Sequence, residues 1–181
     1  IFSITLSSNI LFSEESDKTA EYLLTRPLLR SEIFFSKGAV VFLSVFMLNL
    51  VTALAGYVSL EIFKSGTYRV NAFFILSLYT FLLNLLFGSI GLFLSVLGKR
   101  AKSITTFSVA LVLIFYFIYT LSKITESVSK IGYLSPFKYV NLEVVSTGYH
   151  LEAWRLAYFL GITLVLIFLS LYLYKRKDIY T

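Results

Sequence analysis

Long stretches without a charged residue constrain this chain more than any other feature of its sequence. They cover residues 1–13, 38–60, 71–98, 103–122 and 156–174. A helix that crosses a bilayer needs about 20 mainly apolar residues, and the last four stretches meet that length. The composition agrees, because 57% of the residues are hydrophobic and only 14% are charged, against about 25% charged in soluble domains. The chain is therefore predicted to be a membrane protein, which excludes the ordinary globular, disordered and collagen-like classes.

The first uncharged stretch is shorter than a full span and begins at Ile1 rather than at Met. A signal peptide would show a basic flank and a small-residue cleavage site, and neither occurs before the acidic residues that follow. We therefore expect residues 1–12 to be the end of a span that starts outside this sequence. The predicted fold is an all-α polytopic membrane helix bundle, with four full spans and half of a preceding span.

Basic residues are unevenly distributed between the two sets of loops that alternate across such a bundle. Ten of the 16 Lys and Arg residues fall on the side that holds residues 13–37, residues 99–102 and the tail from position 175. Because positively charged loops stay inside the cell, this side, including the C-terminus, is predicted to be cytoplasmic in a multi-pass protein of the cell membrane. The same rule accounts for the net charge of +6 without a nucleic-acid partner.

Residues that could carry chemistry are scarce. The chain has no Cys and a single His, His150. Metal sites with thiolate ligands are therefore excluded, and so are sites that need several His ligands from this chain. A phosphate-binding loop needs Gly-x-x-x-x-Gly-Lys-Ser/Thr, but Gly98 and Lys99 are followed by Arg100. The uncharged spans also lack the ionisable group that an ion-coupled carrier keeps in the membrane. We predict no catalytic residue, no metal site and no cofactor.

One face of the span at 71–98 is lined by small and polar residues at intervals of four, three, four and three: Asn84, Gly88, Gly91, Ser95 and Gly98. Such spacing places them on one side of a helix. Small residues let a second helix approach closely, and Asn can hydrogen-bond across the contact. The face is predicted to be a packing seam, or a surface that lines a pathway or a subunit interface.

The loop at residues 13–37 mixes charged residues with apolar pairs. Its acidic start favours the N-terminal end of a helix that a serine can cap. Ala20, Leu23 and Leu24 then form an apolar stripe, and Pro27 ends the helix. Because acidic residues suit an anionic membrane surface poorly, a protein partner is favoured over a helix lying on lipid.

The segment at residues 123–155 connects the last two spans on the other side. Ser135 is a predicted N-cap with Pro136 at the first helical position, and Gly148 can end that helix. We expect a short external helix that is amphipathic or re-entrant. Trp154 and Arg155 are predicted to anchor the last span at the interface.

The loop at 13–37 resembles the first cytoplasmic loop of ABC-2 type permeases, the membrane subunits of ATP-binding-cassette (ABC) transporters. The family pattern reads acidic pair, Gly-Thr, Glu, Leu-Leu, Pro, Arg and Gly-Lys, and here Lys18 and Ser36 replace its two glycines. The rhythm of the later spans and the basic C-terminal end extend the resemblance over the whole chain. The matching residues are Glu14, Glu15, Thr19, Glu21, Leu23, Leu24, Pro27, Arg30 and Lys37.

The resemblance implies one ABC-2 type transmembrane domain over residues 1–181. Its parts are the end of span 2 (1–12), a cytoplasmic coupling hairpin (13–37), span 3 (38–60), span 4 (71–98), span 5 (103–122), the external segment (123–155), span 6 (156–174) and a cytoplasmic tail (175–181). In this family the hairpin docks on an ATPase subunit. The implied docking residues are Glu14, Glu15, Thr19, Glu21, Leu23, Leu24 and Pro27, and the implied hairpin anchors are Arg30 and Lys37.

The same resemblance implies a lipid-embedded transporter that works with two cytoplasmic ABC ATPase subunits and a second permease subunit, identical or homologous. Export is the expected direction, and apolar, aromatic pathway walls favour lipid-like or amphipathic cargo over free ions. Two alternatives fit the same residues. One is a non-transport scaffold or accessory subunit that docks a cytoplasmic protein, and the other is a facilitator that needs no ATP.

Overall fold

The computed structural model describes residues 1–10, 30–63, 69–98, 101–124, 126–140 and 150–176. These ranges contain the α-helices α1 (Phe2–Ile10), α2 (Arg30–Phe63), α3 (Val70–Leu97), α4 (Ala101–Ile124) and α5 (Ala153–Arg176). Two 3-10 helices, Glu126–Leu134 and Pro136–Tyr139, lie between α4 and α5, and we call residues 126–140 the 3-10 segment. No strand occurs in the described ranges.

Four of the described helices, α2 to α5, are long and apolar enough to cross a membrane. A helix suits hydrocarbon because it satisfies its backbone hydrogen bonds internally. At 34 residues, α2 is about 51 Å long, well beyond a hydrocarbon core of about 30 Å. It therefore takes in Glu32, Lys37 and Glu61 outside the uncharged stretch. The predicted all-α polytopic bundle is confirmed, and the chain is a multi-pass membrane protein.

The helix α3 lies at the centre of the bundle, in contact with α1, α2, α4 and α5. Half of its most apolar window is buried, against 11–17% for the other three long helices. Its aromatic and aliphatic side chains Tyr79, Leu86 and Phe87 are almost wholly buried. The other long helices expose most of their apolar surface, as expected for helices that face lipid.

Different residues mark the two ends of the bundle. At one end, Phe34 of α2 and Val96 of α3 share a buried cluster that Tyr174 of α5 covers; we call it the Phe34 end. The opposite end, where α2 finishes at Phe63 and α4 at Ile124, is the Phe63 end.

The 3-10 segment enters the bundle at the Phe63 end. The Ser135 hydroxyl donates to the Phe115 carbonyl oxygen at 2.7 Å, about two and a half turns before α4 ends. Ser135 Oγ also caps the second 3-10 helix, because it accepts from the Phe137 backbone N–H at 3.4 Å, with Pro136 in the first turn. The predicted N-cap is thus confirmed.

The predicted continuation of this helix to Gly148 is wrong. The helix ends at Tyr139 because Val140 adopts an extended conformation, with φ −76° and ψ 115°. Residues 141–149 lie outside the described part of the chain.

Phe137 fills the space between α3 and α4. Its ring centroid lies 5.4 Å from that of Phe87 on α3, and 5.9 and 6.3 Å from those of Tyr116 and Tyr119 on α4. Tilted and edge-on aromatic pairs at such distances are favourable. The ring therefore ties the 3-10 segment to both helices.

We expect Phe137→Ala to lower the free energy of unfolding by about 2 kcal/mol, because truncating a half-buried aromatic residue costs part of the usual 3–5 kcal/mol. A lower melting temperature of the purified protein in detergent would show it. The matched control is Phe168→Ala on α5, where the ring is 72% exposed and its loss should leave the melting temperature unchanged. Equal melting temperatures for the two variants would contradict the packing role of Phe137.

Candidate functional site at the junction of α1, α2 and α3

The predicted docking residues lie outside the described part of the chain: Glu14, Glu15, Thr19, Glu21, Leu23, Leu24 and Pro27. Arg30 is the first residue of α2. The described part of the candidate site therefore consists of the two helices that flank the hairpin, α1 and α2, and of the α3 face on which α1 rests.

Lys37 joins the two flanking helices. It lies two turns into α2, yet it is only 8% exposed, and it is the one charged side chain that is buried among the described residues. Its Nζ donates to the carbonyl oxygen of Ile10, the last residue of α1, at 3.0 Å. A cation at the C-terminal end of a helix interacts favourably with carbonyls that lack helical partners. The bond thus fixes the end of α1 against the start of α2.

The apolar surroundings of Lys37 connect this bond to the rest of the bundle. Phe34 and Val41, three residues before and four after it, share its face of α2. Both belong to a buried cluster with Leu92 and Val96 of α3, and side chains of α1 and α5 cover the cluster. Four helices, α1, α2, α3 and α5, therefore meet around the buried Lys37.

The helix α1 lies unusually close to α3 at Gly91. A Cβ atom on Gly91 would lie 2.6 Å from the Ile4 carbonyl oxygen and still nearer to the Ser7 hydroxyl. Such distances are far below van der Waals contact, so only glycine fits here. The side chains of α1 that face this contact are accordingly small, and Ser3, Ser7 and Ser8 are all fully buried.

The remaining members of the predicted face contact different helices. A Cβ atom on Gly88 would lie 3.5 Å from Val41 Cγ1 of α2, and one on Gly98 would overlap Ile104 of α4. Gly98 also caps α3, donating its N–H to the Leu94 carbonyl oxygen at 3.0 Å. Gly91, Gly88 and Gly98 thus lie against three different helices, α1, α2 and α4.

Asn84 belongs to a chain of hydrogen bonds that links three helices. Its Oδ1 accepts from the Ser3 hydroxyl of α1 at 3.2 Å, and its Nδ2 donates to Asn49 Oδ1 of α2 at 3.4 Å. Asn49 in turn donates to the Val45 carbonyl oxygen at 2.8 Å. In membranes such bonds contribute about 0.6–2 kcal/mol each. The spacing of the face gave no indication of Asn49, because its partner is 35 residues away.

Ser95, the fourth member of the face, is 1% exposed, and its hydroxyl has no hydrogen-bond partner. Within the described residues the same holds for Ser108 of α4. A buried hydroxyl without a partner is uncommon. The structure offers no partner that would explain either one.

A shallow groove of about 330 Å³ follows the side of α1 that α3 leaves uncovered. It is lined by Phe2, Thr5, Leu6, Asn9 and Ile10. Thr105 of α4 donates its hydroxyl to Asn9 Oδ1 at 2.6 Å at one end of this groove. The lining combines apolar side chains with neutral polar atoms, which suits an amphipathic molecule better than an ion. In the described ranges no cluster of acidic residues and His could hold a metal.

Comparison with known proteins gives one family. The model of a family described as ABC-2 family transporter protein matches residues 1–179 and so covers every helix described above. No curated protein matches the chain.

We expect Gly91→Ala to destabilise the protein by about 1–3 kcal/mol, because the added methyl group must push α1 away from α3. The matched control is Gly161→Ala in α5, where nothing lies within 4 Å of an added Cβ and the gain in helix propensity is up to about 1 kcal/mol. Thermal unfolding in detergent would therefore shift in opposite directions. A stabilised Gly91→Ala variant would contradict the close approach of α1.

Proposed function

Since this chain belongs to the ABC-2 family of transporter proteins, we propose that it exports its cargo with energy from ATP hydrolysed by separate cytoplasmic subunits. The chain is a membrane permease of an ABC transporter, and the observation that carries this conclusion is the family match over residues 1–179. Export and the separate ATPase subunits go beyond the family match and are proposed.

The proposed assembly contains two ABC ATPase subunits and a second permease subunit, identical or homologous. Its orientation puts the Phe34 end, the 13–37 hairpin and the C-terminus in the cytoplasm, and the Phe63 end outside. Support for this orientation comes from the basic residues of the loops and the tail.

The hairpin at residues 13–37 is the proposed coupling element. By resemblance, its docking residues are Glu14, Glu15, Thr19, Glu21, Leu23, Leu24 and Pro27. Nucleotide binding would move the ATPase subunits, and the hairpin would pass that movement to the spans. A ligand shifts such an equilibrium only by its different affinity for the two states, so docking must differ between them.

Lys37 supports this proposal because it lies where movement of the hairpin must enter the bundle. Its bond to Ile10 at 3.0 Å makes the two helices that flank the hairpin move together. The buried cluster around it then connects that movement to α3 and α5. We assign Arg30 and Lys37 as the anchors of the hairpin.

The small-residue face of α3 serves packing in this proposal. Asn84 and Gly91 are covered by α1, Gly88 meets α2, and Gly98 meets the start of α4. Because other helices cover this face, it is less accessible to a cargo than the groove on α1. The groove is therefore the better candidate for contact with an amphipathic cargo.

Leu23→Asp and Glu15→Lys should each weaken binding of the ATPase subunit about ten-fold or more. Losing a buried leucine contact costs about 1.5–3 kcal/mol, and 1.4 kcal/mol corresponds to a factor of ten. The measurement is copurification of the ATPase with the tagged, full-length chain, followed by titration of the purified subunits. Thr25→Asp and Asp17→Lys introduce the same charges at unassigned positions and serve as matched controls.

Three other outcomes would each point elsewhere. A copurifying protein without a phosphate-binding loop would favour the scaffold. Cargo flux in proteoliposomes without ATP would favour the facilitator. Unchanged ATPase affinity in both hairpin variants would overturn the coupling assignment.

Lys37→Met should separate docking from movement. Methionine keeps the apolar stem but cannot donate to Ile10, so we expect ATPase affinity within two-fold of wild type and a much smaller response of the spans to ATP. Spin labels at Phe63→Cys and Ile124→Cys, both highly exposed, would report the distance change at the Phe63 end in a chain without native cysteine. We expect that change to fall to less than half.

The control for this experiment is Lys130→Met, which removes an exposed lysine from the 3-10 segment. It should respond to ATP as wild type does. A wild-type distance change in Lys37→Met would show that the Ile10 bond does not transmit movement.

A further inference from the structure

A hydrogen-bond network at the Phe63 end joins parts of the chain that are far apart in sequence. Tyr79 of α3 is fully buried, and its hydroxyl oxygen accepts from the backbone N–H of Glu152 at 3.0 Å. Glu152 immediately precedes α5. A buried tyrosine hydroxyl in an apolar cluster needs such a partner, so this bond fixes where α5 begins against α3.

The Glu152 carboxylate extends the network. Its Oε2 accepts from Trp154 Nε1 at 2.6 Å and from Arg155 Nε at 2.8 Å. Nη1 of the same guanidinium donates to the Tyr139 carbonyl oxygen at 3.4 Å. Arg155 therefore bridges the start of α5 and the last residue of the 3-10 helices, using two of the donors in its planar fork.

Aromatic contacts support the same junction. The rings of Tyr139 and Tyr158 stack at 3.9 Å between centroids with an interplanar angle of 18°. Trp154 meets Tyr139 edge-on at 6.0 Å. Beside them Val140, which is 8% exposed, belongs to the same buried cluster as Tyr79. Release of Tyr139 would thus also uncover Val140.

The 3-10 segment depends on contacts of this kind. A 3-10 helix has poorer hydrogen-bond geometry than an α-helix, and long runs of it are uncommon. One attachment is deep in the bundle, where Ser135 bonds to Phe115. The other is at Tyr139, where Arg155 holds the chain. The hydrogen bond at Tyr139 is the longer of the two, 3.4 Å against 2.7 Å at Ser135, so it is the weaker attachment and the one that can release first.

We propose that Tyr79 and Arg155 are positioning residues that hold the 3-10 segment closed over the Phe63 end, with Glu152 as the group through which they act together. Opening of this end begins when Arg155 releases the Tyr139 carbonyl oxygen, and residues 139 and 140 then move about the attachments at Ser135 and Phe137. The network is at the opposite end from Lys37, so the proposal does not depend on the ATPase partner. Only the side of the membrane on which the end opens rests on the orientation proposed above.

The test uses the absence of native cysteine. The reporter is Val140→Cys, at a position that is buried when the segment is closed. The reference is Ile131→Cys, at a position where the native side chain is 51% exposed. Each is combined with Tyr79→Phe, Arg155→Gln or Arg155→Lys in the full chain. The labelling rate with a membrane-impermeant maleimide is then measured in intact cells and in inverted membrane vesicles.

We expect the labelling rate at position 140 to rise about five-fold to ten-fold in Tyr79→Phe and in Arg155→Gln, the effect on an opening equilibrium of losing one hydrogen bond. Arg155→Lys can bond the Tyr139 carbonyl oxygen but not the Glu152 carboxylate with the same geometry, so its rate should be intermediate. Labelling at position 131 should stay within two-fold throughout. Matched controls are Tyr172→Phe and Arg176→Gln, which make the same changes at the other end of α5.

The outcomes separate local closure from general stability. A rise at position 140 with an unchanged melting temperature supports the proposal, whereas equal rises at positions 131 and 140 indicate general loosening and overturn it. Unchanged labelling at position 140 in both Tyr79→Phe and Arg155→Gln also overturns it. Labelling of position 131 only in inverted vesicles would refute the orientation and leave the closure to be judged by the ratio of the two rates.

Discussion

The close approach of α1 to α3 at Gly91 places α1 where its polar groups reach both α3 and α2. Because α3 has no side chain at this position, the backbone of α1 comes near enough for Ser3 to reach Asn84 and for Ile10 to reach Lys37. Both bonds need α1 to lie close to its neighbours, since the Ser3 hydroxyl and the Lys37 ammonium donate only over about 3 Å. The apolar surroundings of both bonds increase their contribution to stability, because an unpaired polar group in such surroundings is costly.

The spans could be predicted from sequence, and the 3-10 segment only in part. Uncharged stretches mark the long helices sharply, although α2 extends past its stretch because charges at helix ends can lie beyond the hydrocarbon core. Ser135 and Pro136 indicated the cap correctly, since capping is local. The bond of Ser135 to Phe115 and the path of the chain after Tyr139 depend on contacts across the bundle, which local patterns do not contain.

For the candidate site, the α3 face was visible in the spacing of Asn84, Gly88 and Gly91, while its partners were not. Periodicity shows which residues share a face, but not which helix covers it, and here three helices do so. The burial of Lys37 was equally hidden, because a lysine next to a span normally extends towards water. The docking residues of the hairpin rest on the family resemblance, and they lie outside the described residues.

The length of α2 has a mechanical consequence. Lys37, which bonds to the end of α1, lies about 10 Å along α2 from Arg30 at its start. At 1.5 Å per residue, Phe63 at the opposite end of α2 lies about 39 Å from Lys37. If α1 and α2 turn together about Lys37 as rigid helices, the two parts of α2 on either side of that point move by unequal amounts. Each ångström of displacement at Arg30 would therefore become about 4 Å of travel at Phe63.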